Sequence, residues 1–175
     1  MSLWSEIKHL FEVDEGMLPD IYVENLSDEE IVTAYEWVMG QCIIARAPTL
    51  WSKEQEREIL IKSIRQPAKE FVAGKVESFR HCLEGLKIDG VVLPELSVCV
   101  ENGGLSFDYR PGAAWNEEAV LALFSFLRSL KTKVPGARIF QADEGCYSSP
   151  SPEFGAVFSS FLATPSNNSL QARRP

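Results

Sequence analysis

Polar side chains recur at alternate positions around an Asn102–Gly103 pair, and they include residue types that acid–base chemistry needs. Four such residues flank the pair: Ser97, Glu101, Asp108 and Arg110. If the pair forms the turn of a hairpin, side chains two residues apart lie on one face of the sheet, and these four share a face. Two carboxylates beside a hydroxyl and a guanidinium could form a small-ligand or glycoside-type site. A solvated sheet face predicts the same pattern.

The loop 143–147 is the second place where catalytic side chains could gather, because an acidic pair there precedes Cys146. A cysteine nucleophile needs a base, and the neighbours His81 and Cys82 would point about 100° apart on a helix. A dyad would therefore have to join Cys146 to His81. The chain contains no G-x-S-x-G elbow, Walker A loop, G-x-G-x-x-G fingerprint or H-E-x-x-H motif. We therefore predict no catalytic residues and no cofactor.

The cysteines favour reduced thiols over a metal site. They are widely spaced and form neither a C-x-x-C pair nor a Cys/His cluster: Cys42, Cys82, Cys99 and Cys146. Zinc sites draw on closely spaced Cys and His residues, so no metal site is predicted. Unpaired cysteines are typical of reducing compartments, and the opening MSLWSEIKHLFEVDEG is too acidic for a secretory signal. A cytoplasmic location is therefore expected.

Negative charge is concentrated at the front of the chain. The formal net charge is −8 at pH 7, yet residues 1–40 alone hold ten acidic residues and one lysine. Nucleic-acid binding needs clustered Lys and Arg, so no nucleic-acid partner is predicted. No apolar run approaches the ~20 residues that span a bilayer, so no membrane association is expected. An acidic surface suits a basic protein partner, because opposite charge speeds association. A solvated face that keeps the chain soluble is the other explanation.

Aromatic residues beside these carboxylates narrow the predicted binding site to residues 20–40. Tyr22 and Trp37 fall at the edge of the apolar stripes, and aromatic anchors within a polar rim are typical of interfaces. The predicted partner-binding residues are Asp20, Tyr22, Glu24, Asp28, Glu29, Glu30 and Trp37. Ordinary partial burial of the two rings is the alternative.

The elements that would position these residues begin with a hairpin over 95–110. An Asn-Gly pair between alternating apolar residues predicts a two-residue turn of type I′. The resulting register pairs Val100 with Leu105, Val98 with Phe107 and Leu96 with Tyr109, all on one face. Strands at 137–142 and 20–25 are predicted to complete a small mixed sheet. Pro19, at the entry of the strand 20–25, suits an edge position.

Helical periodicity predicts five to six helices that cover this sheet, so the predicted fold class is α+β. They span residues 3–11, 28–47, 52–66, 68–86, 116–134 and 153–162. Ser27 and Glu30 form a capping box at the second of these, and Ser52 with Gln55 forms another at the third. Asn116 caps the fifth, whose buried stripe is Val120, Leu123, Phe124, Leu127 and Leu130. A strand, this helix and a strand at 137–142 favour a parallel crossover.

The chain has 175 residues, of which 45% are hydrophobic, enough for one core. No linker composition interrupts it, so residues 1–163 are predicted to form a single domain. Residues 164–175 end in PSNNSLQARRP, a composition typical of a disordered tail.

The stretch SFDYRPGAAWNEEAVLALFSFL, with the size, acidity and missing catalytic motifs of the chain, resembles the immunity proteins that neutralise bacterial polymorphic toxins and related uncharacterised bacterial families. The resemblance covers residues 93–160 at most and transfers no functional residue. It implies a stoichiometric partner whose basic active site is blocked. We therefore predict a non-catalytic, acidic protein-binding domain. A small hydrolase-like enzyme, with a cleft near the polar sheet face or the 143–147 loop, is one alternative. A self-associating structural module is the other.

Overall fold

The computed structural model describes residues 2–165, in which short strands alternate with helices. Six α-helices lie in this range: α1 (Leu3–Ile7), α2 (His9–Glu12), α3 (Asp28–Met39), α4 (Pro67–Val72), α5 (Glu117–Lys133) and α6 (Pro152–Ala163). A 3-10 turn covers Ile61–Ser63. Most of the predicted tail, residues 166–175, lies outside the described residues. The division into one domain over 1–163 stays a prediction.

The strands of the described range form one large sheet and two small hairpins. They are β1 (Asp20–Glu24), β2 (Ile43–Ile44), β3 (Thr49–Ser52), β4 (Arg57–Leu60), β5 (Phe79–Glu84), β6 (Lys87–Ile88), β7 (Val91–Val92), β8 (Leu96–Glu101), β9 (Gly104–Tyr109) and β10 (Arg138–Ala142). The large sheet has six strands in the order β10-β1-β9-β8-β5-β2, whereas β3–β4 and β6–β7 pair separately. Every neighbouring pair in the large sheet is antiparallel. The α+β prediction is confirmed, with a larger sheet than expected.

The predicted hairpin is β8–β9, and its register is the predicted one. Val100 pairs with Leu105, Val98 with Phe107 and Leu96 with Tyr109, and Glu101 pairs with Gly104 across the turn. Of the two turn residues, Gly103 has a φ of +79° whereas Asn102 does not take a positive φ. A type I′ turn needs positive φ at both positions, so the turn is not of that type.

The strand predicted at 20–25 is β1, and it lies inside the sheet rather than at its edge. It pairs with β9 on one side and with β10 on the other. Pro19 causes no gap in this pairing because it precedes the first paired residue, Asp20. Strands β9 and β10 run parallel to each other, as the predicted crossover through α5 requires, but β1 separates them.

The helices pack against one face of the sheet, here called the helix face. Phe107 of β9 contacts Phe126 of α5 with ring centroids 5.4 Å apart, and Tyr35 of α3 contacts Phe79 of β5 at 5.5 Å. The buried strand residues on this face include Ile21, Val23, Val98, Val100, Leu105 and Tyr109. Burial of this apolar area from both layers is the main stabilising term of the fold.

Local signals placed three helices correctly. The Ser27 side chain accepts from the Glu30 backbone N–H, and the Glu30 carboxylate accepts from the Ser27 N–H, so the capping box of α3 forms. Asn116 Oδ1 accepts from the Ala119 N–H at 2.9 Å and caps α5. All five predicted stripe residues of α5 are buried. Helix α6 matches the helix predicted at 153–162 to within one residue.

The helices predicted at 52–66 and 68–86 are wrong. Residues 49–60 form the β3–β4 hairpin, in whose turn Gln55 N–H donates to Ser52 Oγ at 3.2 Å. This bond is the one that a helix cap makes, and a turn can use it equally. The second helix ends at Val72, before Gly74 takes a φ of +75°. Residues 79–84 then form β5, because pairing with β8 buries its alternate residues.

The close approach of β1 and β9 at Gly104 predicts that this glycine is required. A Cβ there would lie 2.3 Å from the Val23 carbonyl oxygen, a backbone atom that cannot rotate away. Gly104→Ala is expected to lower the free energy of unfolding by about 2 kcal/mol or more. Gly155→Ala in α6, where a Cβ meets nothing within 4 Å, should raise it by about 0.5–1 kcal/mol. Urea denaturation of both variants tests the contrast, and equal stabilities would contradict it.

Candidate functional site

The face of the sheet opposite the helices, here called the open face, carries the residues that alternate with those of the helix face, and most of them are polar. Across the six strands it presents Arg138, Phe140 and Ala142; Asp20, Tyr22 and Glu24; Gly104, Ser106 and Asp108; Ser97, Cys99 and Glu101; Arg80, Cys82 and Glu84; and Ile43. These strand positions hold five carboxylates and two guanidinium groups. The open face is therefore acidic, and it includes the polar hairpin face predicted from the sequence.

A buried carboxylate lies at the centre of the open face. Asp108 is 9% exposed and accepts two hydrogen bonds from the Arg80 guanidinium, through Nε and Nη2. Such bidentate pairs are among the stronger charged contacts, and this one raises the pKa of Arg80. The half-exposed Arg80 thus screens Asp108 from the solvent and neutralises it.

Asp20 lies directly opposite Asp108 on the neighbouring strand. Burial is the largest cause that raises the pKa of Asp20, to about 6, and repulsion from Asp108 is the next. Tyr22 Oη donates to Asp20 Oδ2 at 3.2 Å, which opposes the rise without cancelling it. Burial and the Asp20 charge also raise the pKa of Tyr22, to about 12. The centre of the open face therefore has an excess of negative potential that Arg80 only partly offsets.

An aromatic cluster borders the open face on the β10 side. Tyr22 stacks on Phe140 at 5.1 Å, and Tyr147 from the following loop meets Tyr22 edge-on at 5.0 Å. Arg138 lies 4.5 Å above the Phe140 ring and donates to Glu24 Oε1 at 2.8 Å. Tyr147 Oη donates to the other oxygen of Glu24. The Glu24 carboxylate is thus held by two partners.

A depression of about 340 Å³ lies where the aromatic cluster meets the hairpin turn. Its lining consists of Tyr22, Val23, Glu24, Glu101, Asn102, Gly103, Gly104, Leu105 and Tyr147. We call it the tyrosine pocket. A larger groove of about 630 Å³ lies elsewhere, between α3, the 3-10 turn and the start of α4. Its lining mixes Glu36 with Lys62 and Arg65 and has no dominant charge.

The seven predicted partner-binding residues fall in three places. Asp20, Tyr22 and Glu24 lie together on the open face, as neighbours on β1. The consecutive acids of α3, Asp28, Glu29 and Glu30, lie at the start of that helix beyond the Asn102–Gly103 turn, where Asp28 and Asn102 line a separate depression. Trp37 stacks on the buried Phe126 at 5.4 Å, within the helix layer. Trp37 is partly buried there, and its role in partner binding stays a prediction.

The Cys–His dyad considered from the sequence does not form. His81 is 3% exposed on the helix face, where Nε2 lies 2.9 Å from Tyr35 Oη and Nδ1 lies 3.2 Å from the Cys82 carbonyl oxygen. The carbonyl can only accept, so Nδ1 carries the proton and Nε2 accepts from Tyr35. Burial lowers the pKa of His81 and keeps it neutral. Cys146 is exposed and cannot use a base that is already occupied.

Two residues of the open face are absent from the sequence predictions: Arg80 and Arg138. The signal for Arg80 was present in FRHCLE, where Phe79 and Leu83 are apolar two positions either side of His81. That alternation predicts a strand, but the helical spacing of Phe79, Cys82 and Leu83 fits the same letters. Tyr147 reaches the face through an irregular loop, which no periodicity predicts.

No three His, Cys, Asp or Glu side chains of residues 2–165 lie close enough together to hold a metal ion. None of the helices in this range combines the length and the apolar character that crossing a bilayer requires.

No protein-family description and no curated protein matches the chain. Among solved structures, a Pseudomonas aeruginosa T6SS protein matches with a TM-score of 0.37 and 11% sequence identity. The match covers 98% of this chain and 54% of that one, so this chain spans about half the length of its structural neighbour. Similarity at this level assigns neither a family nor a function to this chain.

The raised pKa of Asp20 predicts a stability gain on neutralisation. The pKa moves from 3.8 to about 6, so the stability linked to Asp20 is fully present below pH 3.8 and is lost as the pH rises through about 6. Asp20→Asn removes the half-buried charge and should stabilise the protein at pH 7.5 by on the order of 1 kcal/mol, allowing for solvent screening. The gain should disappear near pH 4.

Thermal or urea unfolding of the parent and the variant from pH 4 to 8 measures this difference in stability. His81 also makes stability depend on pH, but it does so in both proteins, so its contribution cancels in the difference. Asp28→Asn is the matched control, because it removes an exposed carboxylate that favours the start of α3 and should slightly destabilise the protein. An Asp20→Asn gain that is equal at both ends of the pH range would rule out the electrostatic cause.

Proposed function

We propose that this chain is a non-catalytic binding protein whose open face docks on a basic surface of a protein partner, in the manner of an immunity protein that blocks a toxin. One observation carries the proposal. Both guanidinium groups of the open face are already paired with its own carboxylates, Arg80 with Asp108 and Arg138 with Glu24. The remaining carboxylates, on Asp20, Glu84 and Glu101, form no salt bridge within residues 2–165.

A basic partner would supply the missing positive charge. Opposite charge steers the encounter and raises the association rate, and it selects against acidic partners. Burial raises the pKa of Asp20 most, and repulsion from Asp108 adds to it. A cation from the partner would offset that repulsion, so association and deprotonation of Asp20 support each other. Charge complementarity is therefore the main support for a basic partner.

Apolar anchors border the acidic centre on both sides. Tyr147 is 54% exposed at the β10 side, and Ile43 is 62% exposed on β2 at the far edge. Interfaces commonly combine such anchors with charged neighbours, and the anchors contribute most of the affinity. Within this proposal the binding residues are Asp20, Tyr22 and Glu24, whereas Trp37 has a packing role. The acids at the start of α3 form a separate surface.

A hydrolase-like enzyme is the second candidate, and one observation favours it. Asp20 and Asp108 lie opposite each other, and their surroundings differ: burial raises the pKa of Asp20, whereas Arg80 binds Asp108. Pairs of carboxylates in unequal environments are the usual acid and base of glycoside hydrolysis. This candidate requires a hydrolytic activity towards chromogenic glycosides that Asp20→Asn abolishes. A chain that hydrolyses none of them eliminates it.

The binding proposal is tested with the basic proteins encoded beside the chain's own gene, each purified and mixed with it. Two double variants remove two negative charges each: Asp20→Asn with Glu84→Gln on the open face, and Asp28→Asn with Glu29→Gln at the start of α3. The open-face variant should slow association about fivefold at low salt and reduce its salt dependence. The α3 variant should change the rate less than about twofold.

Stopped-flow mixing at several salt concentrations gives both rates. Equal effects of the two variants would show that net charge, not the open face, drives association, and would overturn the proposal. The proposal is also overturned if none of the basic proteins encoded beside the gene binds. It is overturned as well if sedimentation shows a dimer in which a second copy of the chain covers the open face.

A further inference from the structure

We infer that the tyrosine pocket binds one arginine side chain of the partner. The inference rests on the proposed function and makes it specific, because it names the group that enters the open face and where it enters. The pocket occupies the hairpin end of the face, where the backbone of Gly103 and Gly104 forms its floor.

A glycine between two glutamates creates the space. Gly104 pairs with Glu24 on one neighbouring strand and with Glu101 on the other, so all three occupy one row across the sheet. Adjacent strands lie about 4.8 Å apart, which places the two glutamate backbones roughly 10 Å apart. The middle position has no side chain, so a gap remains between two carboxylates. A larger residue cannot fill it, because a Cβ on Gly104 would collide with the Val23 carbonyl oxygen.

The charge of the gap requires a cation. The Glu24 carboxylate already accepts hydrogen bonds from Arg138 and Tyr147. The Glu101 carboxylate, by contrast, forms no salt bridge and no side-chain hydrogen bond with any other residue in the range 2–165. Glu101 is half-buried at the pocket wall, and it contributes to the raised pKa of both Asp20 and Tyr22. A half-buried carboxylate without a partner, in a concave site, concentrates negative potential there.

Aromatic rings select a flat cation. Tyr22 and Tyr147 both line the pocket and meet edge-on, and the Tyr147 ring is exposed enough for a planar group to lie on it. The neighbouring residues show the same recognition within the chain: Arg138 lies over Phe140 while it donates to Glu24. A guanidinium stacks on rings and donates to carboxylates at once, whereas an ammonium group is a compact, strongly hydrated charge. The pocket therefore suits arginine better than lysine.

The experiment uses the full chain and the tripeptide acetyl-Gly-Arg-Gly-amide. The matched probe replaces arginine with citrulline, which has nearly the same shape but no charge. Nuclear magnetic resonance titration should show millimolar binding of the arginine peptide, with the largest shifts at Glu101, Gly103 and Gly104. The citrulline peptide should cause no such shifts, and a lysine peptide should bind more weakly.

Two variants separate the pocket from the general charge of the face. Glu101→Gln should weaken arginine binding at least about fivefold, because it removes the unpartnered carboxylate. Glu84→Gln removes the same charge from the far side of the open face, beside Ile43, and should change the affinity less than about twofold. Tyr147→Ala should weaken binding as well, through the loss of one ring. Equal binding of the arginine and citrulline peptides would overturn the inference. So would equal effects of Glu101→Gln and Glu84→Gln, or chemical-shift changes that map outside the pocket.

The outcomes also distinguish this inference from the proposed function. If a basic partner associates with the open face and the arginine peptide leaves the pocket unshifted, the pocket inference fails and the proposed function stands. If the peptide binds in the pocket but no basic protein associates, the proposed function fails instead.

Discussion

The structure depends on the pairing of β1 along both of its edges. This strand enters between β9 and β10 and satisfies its backbone groups on both sides, so it converts a hairpin and a distant strand into one sheet. The insertion requires a close approach that only a glycine at position 104 permits. Because side chains alternate along a strand, the same pairing directs Ile21 and Val23 to the helices and the acidic residues of β1 to the open face. The pairing of β1 with β9 and β10 therefore forms both the sheet and the candidate site.

The open face has an electrostatic cost. Like charges opposite each other on neighbouring strands destabilise a sheet, and Asp20 faces Asp108 in this way. Arg80 binds Asp108 and limits the repulsion, but burial and the remaining repulsion from Asp108 keep the pKa of Asp20 raised. A protein selected for stability alone would not keep a half-buried carboxylate there, since a neutral residue would serve the fold better. The repulsion between Asp20 and Asp108 is explained if it serves to attract a cation of a partner, which then relieves it.

The two guanidinium groups of the open face show how such relief works. Arg80 and Arg138 each bind a carboxylate of a neighbouring residue, and Arg138 also lies on a ring. The tyrosine pocket repeats this combination of carboxylate and ring, with Glu101 in place of the already occupied Glu24. The chain thus contains internal examples of the contacts that we propose for its partner. A surface with internal ion pairs around one open position gives specificity as well as attraction, because wrong partners meet unmatched charge.

The sequence by itself determined the elements whose signals are local. The Asn102–Gly103 hairpin, the caps at Ser27 and Asn116 and the stripe of α5 were all predicted, because turn geometry and capping depend on residues close in the chain. Tertiary structure decided which strands lie side by side. Residues 79–84 became β5 rather than a helix because β8 offered an edge, and β1 moved to the interior because β9 and β10 lay on either side. The pairs Asp20–Asp108 and Glu24–Gly104 join positions 80 or more residues apart, and no local pattern encodes them. The acidity of the site was therefore visible in the sequence, whereas its shape required the long-range pairing that only the folded chain supplies.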